Sequence, residues 1–137
     1  MNDDVAIVIP VYNEDQVLLA VVEDVLSTFS RVVCIDDGST DKSTNYLSTI
    51  ELKVPNLRVI YTKGIGLVNA LNLGIRESSN NWIARYDVDD TYPSYRVAKQ
   101  KKLISSDVAA VENIAANVTT VAGISSDVTS VAGISIT

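Results

Sequence analysis

Residues 5–35 read VAIVIPVYNEDQVLLAVVEDVLSTFSRVVCI and contain one complete strand–helix–strand pattern. The runs 5–9 and 32–35 are short, continuously apolar and rich in β-branched residues, which is typical of strands that are buried on both faces. Between them, apolar residues recur at helical spacing and form one stripe: Val17, Leu18, Val21, Val22, Val25, Leu26 and Phe29. We expect Asn13 to cap this helix, with the two acids that follow it in the first turn.

The same alternation continues downstream. Strand-like runs follow at 57–61 and, more weakly, at 82–86, and helices are predicted from about Ser39 and over about 66–77. Four residues of the last helix are expected to be buried: Leu67, Ala70, Leu71 and Ile75. Strand starts at 5, 32, 57 and 82 have the spacing of βα units. The sequence therefore predicts an α/β fold with a parallel sheet and right-handed crossovers.

Composition excludes several classes of protein. The 137 residues suffice for one domain and an appendage, and 11 basic against 17 acidic residues leave a net charge of −6, which argues against nonspecific nucleic-acid binding. No apolar run approaches the roughly 18 to 20 residues of a membrane span, and we expect no secretory signal. With one cysteine and no histidine, an internal disulfide, the usual zinc sites and Ser-His or Cys-His nucleophile pairs are excluded.

Polar segments follow each predicted strand, at 10–14, 36–41, 62–66 and 87–90. Ligands of open parallel sheets bind beyond the carboxyl ends of the strands, so these segments are where a site is expected. In the last of them, Asp87 and Asp89 alternate, which would aim both carboxylates the same way from an extended segment. Oxygen ligands of this kind suit Mg²⁺ or Mn²⁺ on phosphate oxygens, although a solvated acidic turn is the simpler alternative.

The Asp36-Asp37-Gly38 segment also has two interpretations. Asp-Gly is ordinary turn chemistry, and the Ser and Thr that follow could cap a helix. Alternatively, an aspartate at a strand end accepts a hydrogen bond from a base N–H, and Gly38 lets the backbone approach a ligand.

Four ordered segments, 8–14, 34–41, 63–75 and 82–90, together resemble the nucleotide-binding half of family 2 glycosyltransferases of GT-A fold, over about residues 4–103. The resemblance implies a Rossmann-like half-domain that binds a nucleoside diphosphate sugar with Mn²⁺ or Mg²⁺ and transfers a sugar of hexose type to a glycan or another hydroxyl acceptor. By position it implies that seven residues form the site. The nucleotide is assigned to Pro10, Tyr12, Glu14, Asp36, Asp37 and Asp87, and the metal to Asp87 and Asp89.

The resemblance also shows what is missing from this sequence. Family members continue into an acceptor-binding half with a catalytic-base carboxylate, and neither is found here, so no catalytic residue is assigned. The donor sugar, the acceptor and the stereochemistry stay open. A cytoplasmic location, in a bacterium or a phage-infected cell, is expected.

The composition changes near residue 103. All aromatic residues, prolines, lysines and arginines precede this point, and a ten-residue unit then repeats at 104–113, 114–123 and 124–133 with Ile and Val in register. A helical coil, a turn-and-strand fibre and a flexible linker all remain open for this tail.

The decapeptides resemble repeats in tail-fibre proteins of tailed bacteriophages, where such tails are trimeric. We therefore predict a domain at 1–103, a short fibrous tail at 104–137 and a homotrimer formed through the tail. The resemblance also supports an alternative function, a non-enzymatic tail-fibre or virion component that serves in binding or assembly.

Overall fold

The computed structural model describes residues 4–106 of the chain. It separates into two units after Thr91, which are treated separately below. The domain boundary near residue 103 is drawn from composition alone and stays a prediction. The repeats, apart from their first three residues, lie outside the described residues, and so does the predicted trimer contact.

The first unit is an α/β sandwich built on a parallel sheet. Its elements, in chain order, are β1 (Val5–Val11), α1 (Leu18–Thr28), β2 (Val32–Asp36), α2 (Ser43–Glu51), β3 (Leu57–Tyr61), α3 (Leu67–Glu77) and β4 (Trp82–Arg85). All strands are parallel and lie in the order β3-β2-β1-β4. The predicted fold class is confirmed, and each strand begins at the residue that the apolar runs indicated.

Helix α3 packs closely on one face of the sheet through its smallest residues. Ala70 and Gly74 are its buried positions, and a methyl group on Gly74 would lie 2.5 Å from Cγ1 of Val8. The prediction that Leu67 and Ile75 are buried is wrong, because they are 51% and 48% exposed. The helix turns its small residues inward, and this leaves the larger apolar ones outside.

The opposite face of the sheet carries α1 and α2. Along β2, Ile35 points toward α3, whereas the next side chain, Asp36, bonds to Thr44 of α2, as strand alternation requires. The predicted stripe of α1 forms much of the core on this side, with Leu18, Val22 and Val25 buried. The sheet is thus covered on both faces, which explains why its strands are nearly continuous apolar runs.

Two helices begin later than the local sequence suggests. Helix α1 begins at Leu18, its N-cap position is Val17, and no side chain caps it. The prediction that Asn13 caps α1 is therefore wrong. Helix α2 likewise begins at Ser43 and not at Ser39. In both cases the capping residues lie in the preceding loop, where they bond to another loop.

In the second unit, the described residues include a helical segment at 96–106. The guanidinium carbon of Arg96 lies 4.0 Å from the centre of the Tyr92 ring, within cation–π distance. Across the described range, no helix is long and apolar enough to cross a membrane.

Candidate functional site

The carboxyl edge of the sheet gathers the polar loops at one end of the first unit. The strand order reverses between β1 and β4. At such a switch point the connections leave the sheet in opposite directions, and ligands of open α/β sheets bind in the crevice between them. The loop after β1 and the turn after β4 therefore border the crevice. Of the predicted site residues, Tyr12, Glu14, Asp87 and Asp89 lie on these two segments.

The loops after β1 and β2 are joined by a reciprocal set of hydrogen bonds, which we call the loop clasp (residues 13–15 and 39–43). The backbone N–H groups of Asn13, Glu14 and Asp15 donate to Ser39 Oγ, Ser43 Oγ and Asp41 Oδ2 at 3.0, 3.0 and 3.1 Å. In the other direction, the N–H groups of residues 40 and 41 donate to Asn13 Oδ1, and that of residue 42 donates to Asp15 Oδ2. Each loop supplies the acceptors that the other needs.

The two aspartates after β2 accept bonds within the protein. Asp36 is 1% exposed and accepts from the N–H of Ser39 and the hydroxyl of Thr44. Asp37 accepts from the Thr62 hydroxyl at 2.7 Å and from the N–H groups of Ile65 and Gly66 at 2.7 and 2.8 Å. These donors, the Thr62 hydroxyl first, hold the pKa of Asp37 below its usual value. Asp37 thus fixes the loop that leads into α3.

A cavity of about 390 Å³ lies between the end of β1 and the beginning of α3. Its lining combines apolar side chains with glycine backbone: Pro10, Val11, Tyr12, Asp37, Gly64, Gly66, Leu67 and Ala70. Tyr12 is 58% exposed, so its ring is accessible to a flat ligand. Three of the residues that were expected to bind the nucleotide, Pro10, Tyr12 and Asp37, line this cavity. Asp36 is buried and does not line it.

The acidic segment after β4 is a turn anchored from both sides. The backbone that leads into the turn is fixed by Tyr86. The N–H of Tyr86 donates to the Val8 carbonyl at 3.0 Å, and its ring packs edge-on against Phe29 with the ring centres 6.0 Å apart. The N–H of Asp90 then donates to the Asp87 carbonyl at 3.2 Å. The expectation of an extended segment is wrong at this point, because this bond closes a turn.

Within this turn the side chains still alternate. Val88 is buried, Asp89 is exposed, and Asp87 is partly exposed and accepts a bond from Nε of Arg85 at 2.8 Å. That ion pair is itself well exposed, so it holds Asp87 only weakly. Both carboxylates therefore lie on the accessible side of the turn.

Glu14 connects the loop clasp to this acidic turn electrostatically. Burial, followed by the charges of Asp89, Asp41 and Asp87, raises the pKa of Glu14 above its usual value. Like charges are thus concentrated where the first and fourth strands end. A cation bound at this edge would relieve their repulsion.

We expect Glu14→Gln to raise the free energy of unfolding at about pH 7 in the absence of divalent metal. A carboxyl with a raised folded pKa stabilises the fold only while it is protonated, and this contribution is lost as the pH rises through that pKa. The gain should therefore be smaller near pH 4 than near pH 7, because a larger fraction of the wild-type carboxyl is protonated at the lower pH. Urea unfolding of both proteins at pH 7 and pH 4 measures this change in the free energy of unfolding. The exposed helical Glu23→Gln is the control, and an equal gain from both substitutions would contradict the prediction.

The donor chemistry of this edge fits a hard divalent cation, but only in part. Aspartate oxygens are the ligands that Mg²⁺ and Mn²⁺ prefer. Within residues 4–106, no three side chains of His, Cys, Asp or Glu are grouped so that they could hold a metal ion by themselves. Asp87 and Asp89 therefore fit a metal that takes its remaining ligands from a bound anion and water.

The glycosyl transferase family 2 model matches residues 6–122. The chain belongs to glycosyltransferase family 2. The match includes both segments that border the crevice, and it extends beyond the composition change at residue 103.

Curated relatives of the family 2 chain are glycosyltransferases. An uncharacterized glycosyltransferase of Rickettsia felis is 32% identical over 106 residues, which are 75% of this chain and 17% of the relative. The glycosyltransferase GlyG of Streptococcus pneumoniae is 32% identical over 95 residues, 66% of this chain and 31% of the relative. The family 2 chain thus spans less than a third of the length of these relatives.

Solved structures confirm the GT-A fold. TarS 1-349 of Staphylococcus aureus superposes with a TM-score of 0.62 at 20% identity, covering 75% of the family 2 chain and 32% of that solved chain. The mannosyltransferase PcManGT of Pyrobaculum calidifontis, solved in complex with GDP-Man and Mn²⁺, gives a TM-score of 0.60 at 20% identity over 68% of this chain and 29% of that one.

The loop clasp was not predicted from the sequence. Its members are common capping residues, Asn-Glu-Asp after β1 and Ser-Thr-Asp-Lys-Ser after β2, and a local interpretation assigns each set to its own helix. The available signal was that both loops carry such residues at the same edge of a parallel sheet.

Proposed function

We propose that this chain forms the donor-binding half of a glycosyltransferase, which holds a nucleoside diphosphate sugar with Mn²⁺ or Mg²⁺ for transfer to a hydroxyl acceptor. The observation that carries the proposal is the arrangement around the loop after β1. Tyr12 borders an apolar cavity, and two residues later Glu14 lies within the field of Asp87 and Asp89. A ligand with a flat base at one end and a metal-bound diphosphate at the other matches these two surroundings.

The loops support a requirement for metal. Helix N-termini and loop N–H groups often bind phosphates, but here those of 13–15 and 39–43 already donate to protein oxygens, as do those of Ile65 and Gly66. Acidic side chains surround the same edge. A diphosphate would therefore meet repulsion unless a divalent cation neutralised it.

We assign the residues as follows. Tyr12 and Pro10 contact the base, with Asp37 at the floor of the cavity, and Asp87 and Asp89 hold the metal, with Glu14 beside them. Asp36, being buried and bonded to α2, supports the loop after β2 and makes no contact with the ligand in this proposal. The Mn²⁺ and GDP-Man of PcManGT are consistent with this class of ligand.

Transfer itself needs a general base and an acceptor surface, and we assign neither to residues 4–106. General-base assistance typically contributes about 10²- to 10⁴-fold. We therefore expect the 137 residues alone to bind the donor and to hydrolyse it slowly, with little transfer to an added acceptor.

Calorimetry with uridine, guanosine and thymidine diphosphates, each with Mn²⁺ or with EDTA, tests the proposal. At least one diphosphate should bind with Mn²⁺, and its affinity should fall at least about tenfold in EDTA, since the metal carries the charge neutralisation. Absence of binding by all three, or binding that EDTA leaves unchanged, would overturn it. The alternative function, a virion or tail-fibre component, finds no support in the relatives described above.

A further inference from the structure

Asn13 has an unusual backbone conformation at the centre of the loop clasp. Its φ is 50°, and it is the one non-glycine residue with positive φ in the described part of the chain. This left-handed conformation costs most residues about 1 kcal/mol or more, and asparagine is among the few that tolerate it. A conformation of this kind persists only where surrounding contacts hold it.

The contacts that hold it come from the other loop. Asn13 Oδ1 accepts from the N–H of Thr40 at 2.7 Å and from that of Asp41 at 3.3 Å, while its own N–H donates to Ser39 Oγ at 3.0 Å. These partners are 26 to 28 residues away along the chain. Asn13 therefore takes part in three of the hydrogen bonds of backbone N–H groups that join the two loops.

The neighbours of Asn13 face the two ends of the proposed ligand. Tyr12 precedes it and lines the cavity, and Glu14 follows it and interacts with the acidic turn. The N–H of Glu14 donates to Ser43 Oγ, the next bond of the same clasp. A change in the backbone at Asn13 would therefore redirect both neighbours together.

We propose that Asn13 is a positioning residue for the sugar nucleotide: it fixes the backbone between Tyr12 and Glu14 so that the base cavity and the metal end keep a productive separation. The inference rests on the proposed function. Asn13 acts through its neighbours and touches no part of the ligand. In catalysis, a misplacement of about 1 Å can cost about 10²-fold in rate, and we expect displacement of the groups that hold the two ends of the ligand to lower its affinity measurably.

Three substitutions in the full chain separate the two properties of Asn13. Asn13→Gly keeps access to positive φ but removes the side-chain acceptor, Asn13→Ala removes both, and Asn13→Asp keeps both. The probe is the nucleoside diphosphate that the wild-type chain binds with Mn²⁺. We expect Asn13→Ala to lose about 10- to 100-fold in affinity and Asn13→Gly about tenfold, and Asn13→Asp to stay within about threefold of wild type.

A purely structural role is tested by a matched control, Val25→Ala, which removes buried methyl groups from the second half of α1, outside the loop clasp. The Tm of each variant is measured first, and binding is then measured at a temperature where every variant is folded. Val25→Ala should lower Tm at least as much as the Asn13 variants while retaining wild-type affinity. Wild-type affinity in both Asn13→Ala and Asn13→Gly, or an equal loss of affinity in Val25→Ala, would overturn this inference and leave the proposed function standing. No binding by the wild-type chain would overturn the proposed function, and the inference with it.

Discussion

The double substitution Asp87→Asn/Asp89→Asn should abolish Mn²⁺-dependent binding of nucleoside diphosphate. Asparagine keeps the size of each side chain but removes both negative charges from the accessible side of the turn. Loss of even an outer partner of a metal ligand typically costs 10- to 100-fold in affinity, so we expect a loss of more than about 100-fold when the two proposed direct ligands change. Calorimetry with Mn²⁺ and the diphosphate that the wild-type chain binds measures it.

The control for this experiment is Glu23→Gln/Asp24→Asn on the exposed face of α1, which changes the net charge by the same amount outside the turn. It should bind like wild type, because exposed charges that do not contact the ligand are largely screened by salt. If the turn variant retained affinity within a few-fold of wild type, Asp87 and Asp89 would not be the metal ligands. Since Val88 and Tyr86 anchor the turn and the lost charges repel Glu14, the substitutions should not lower Tm appreciably.

Gly74→Ala should lower the free energy of unfolding by about 1 to 3 kcal/mol, although alanine is the better helix former. The added methyl group would lie 2.5 and 2.6 Å from side-chain atoms of Val8 and Ile35, both fully buried, so either these side chains or α3 would have to shift. Overpacking of this kind exceeds the gain in helix propensity. Urea unfolding followed by circular dichroism provides the measurement.

Asn72→Ala, on the exposed side of the same helix, is the matched control and should be neutral or slightly stabilising. Opposite signs for the two substitutions would support close packing through Gly74. A stabilising effect of Gly74→Ala would instead mean that α3 can shift without loss, and the close approach would then carry no energetic weight.

The strands could be predicted from the sequence because their signal is local. In a sheet covered on both faces the strands are nearly continuous apolar runs, and those at 5–9 and 32–35 need no partner to be recognised. The carboxyl-edge location of the polar loops then follows from the parallel arrangement. The family resemblance added a function for these segments, because the ordered combination of all four is more specific than any one of them.

What could not be predicted depends on residues that are distant in the chain. Asn13 looks like a local cap, and only the fold shows that its acceptor serves residues 40 and 41. Gly74 carries no apolar signal, so the spacing of apolar residues predicted that Leu67 and Ile75 are buried and gave no indication that Gly74 contacts the sheet. The turn after β4 depends on the hydrogen bond from Asp90 to Asp87, which alternation of residue types does not encode.

The strand order has a consequence for how this unit folds. β1 and β2 pair between residues 25 positions apart, and so do β2 and β3, whereas β1 and β4 pair Val5 with Trp82, 77 positions apart. Closing the threefold longer loop costs about 1 kcal/mol more in chain entropy, so the three-stranded core should assemble first and β4 should join afterwards. Trp82, the only tryptophan of the sequence, lies on that late strand, so its fluorescence follows the step that brings the acidic turn to the rest of the site.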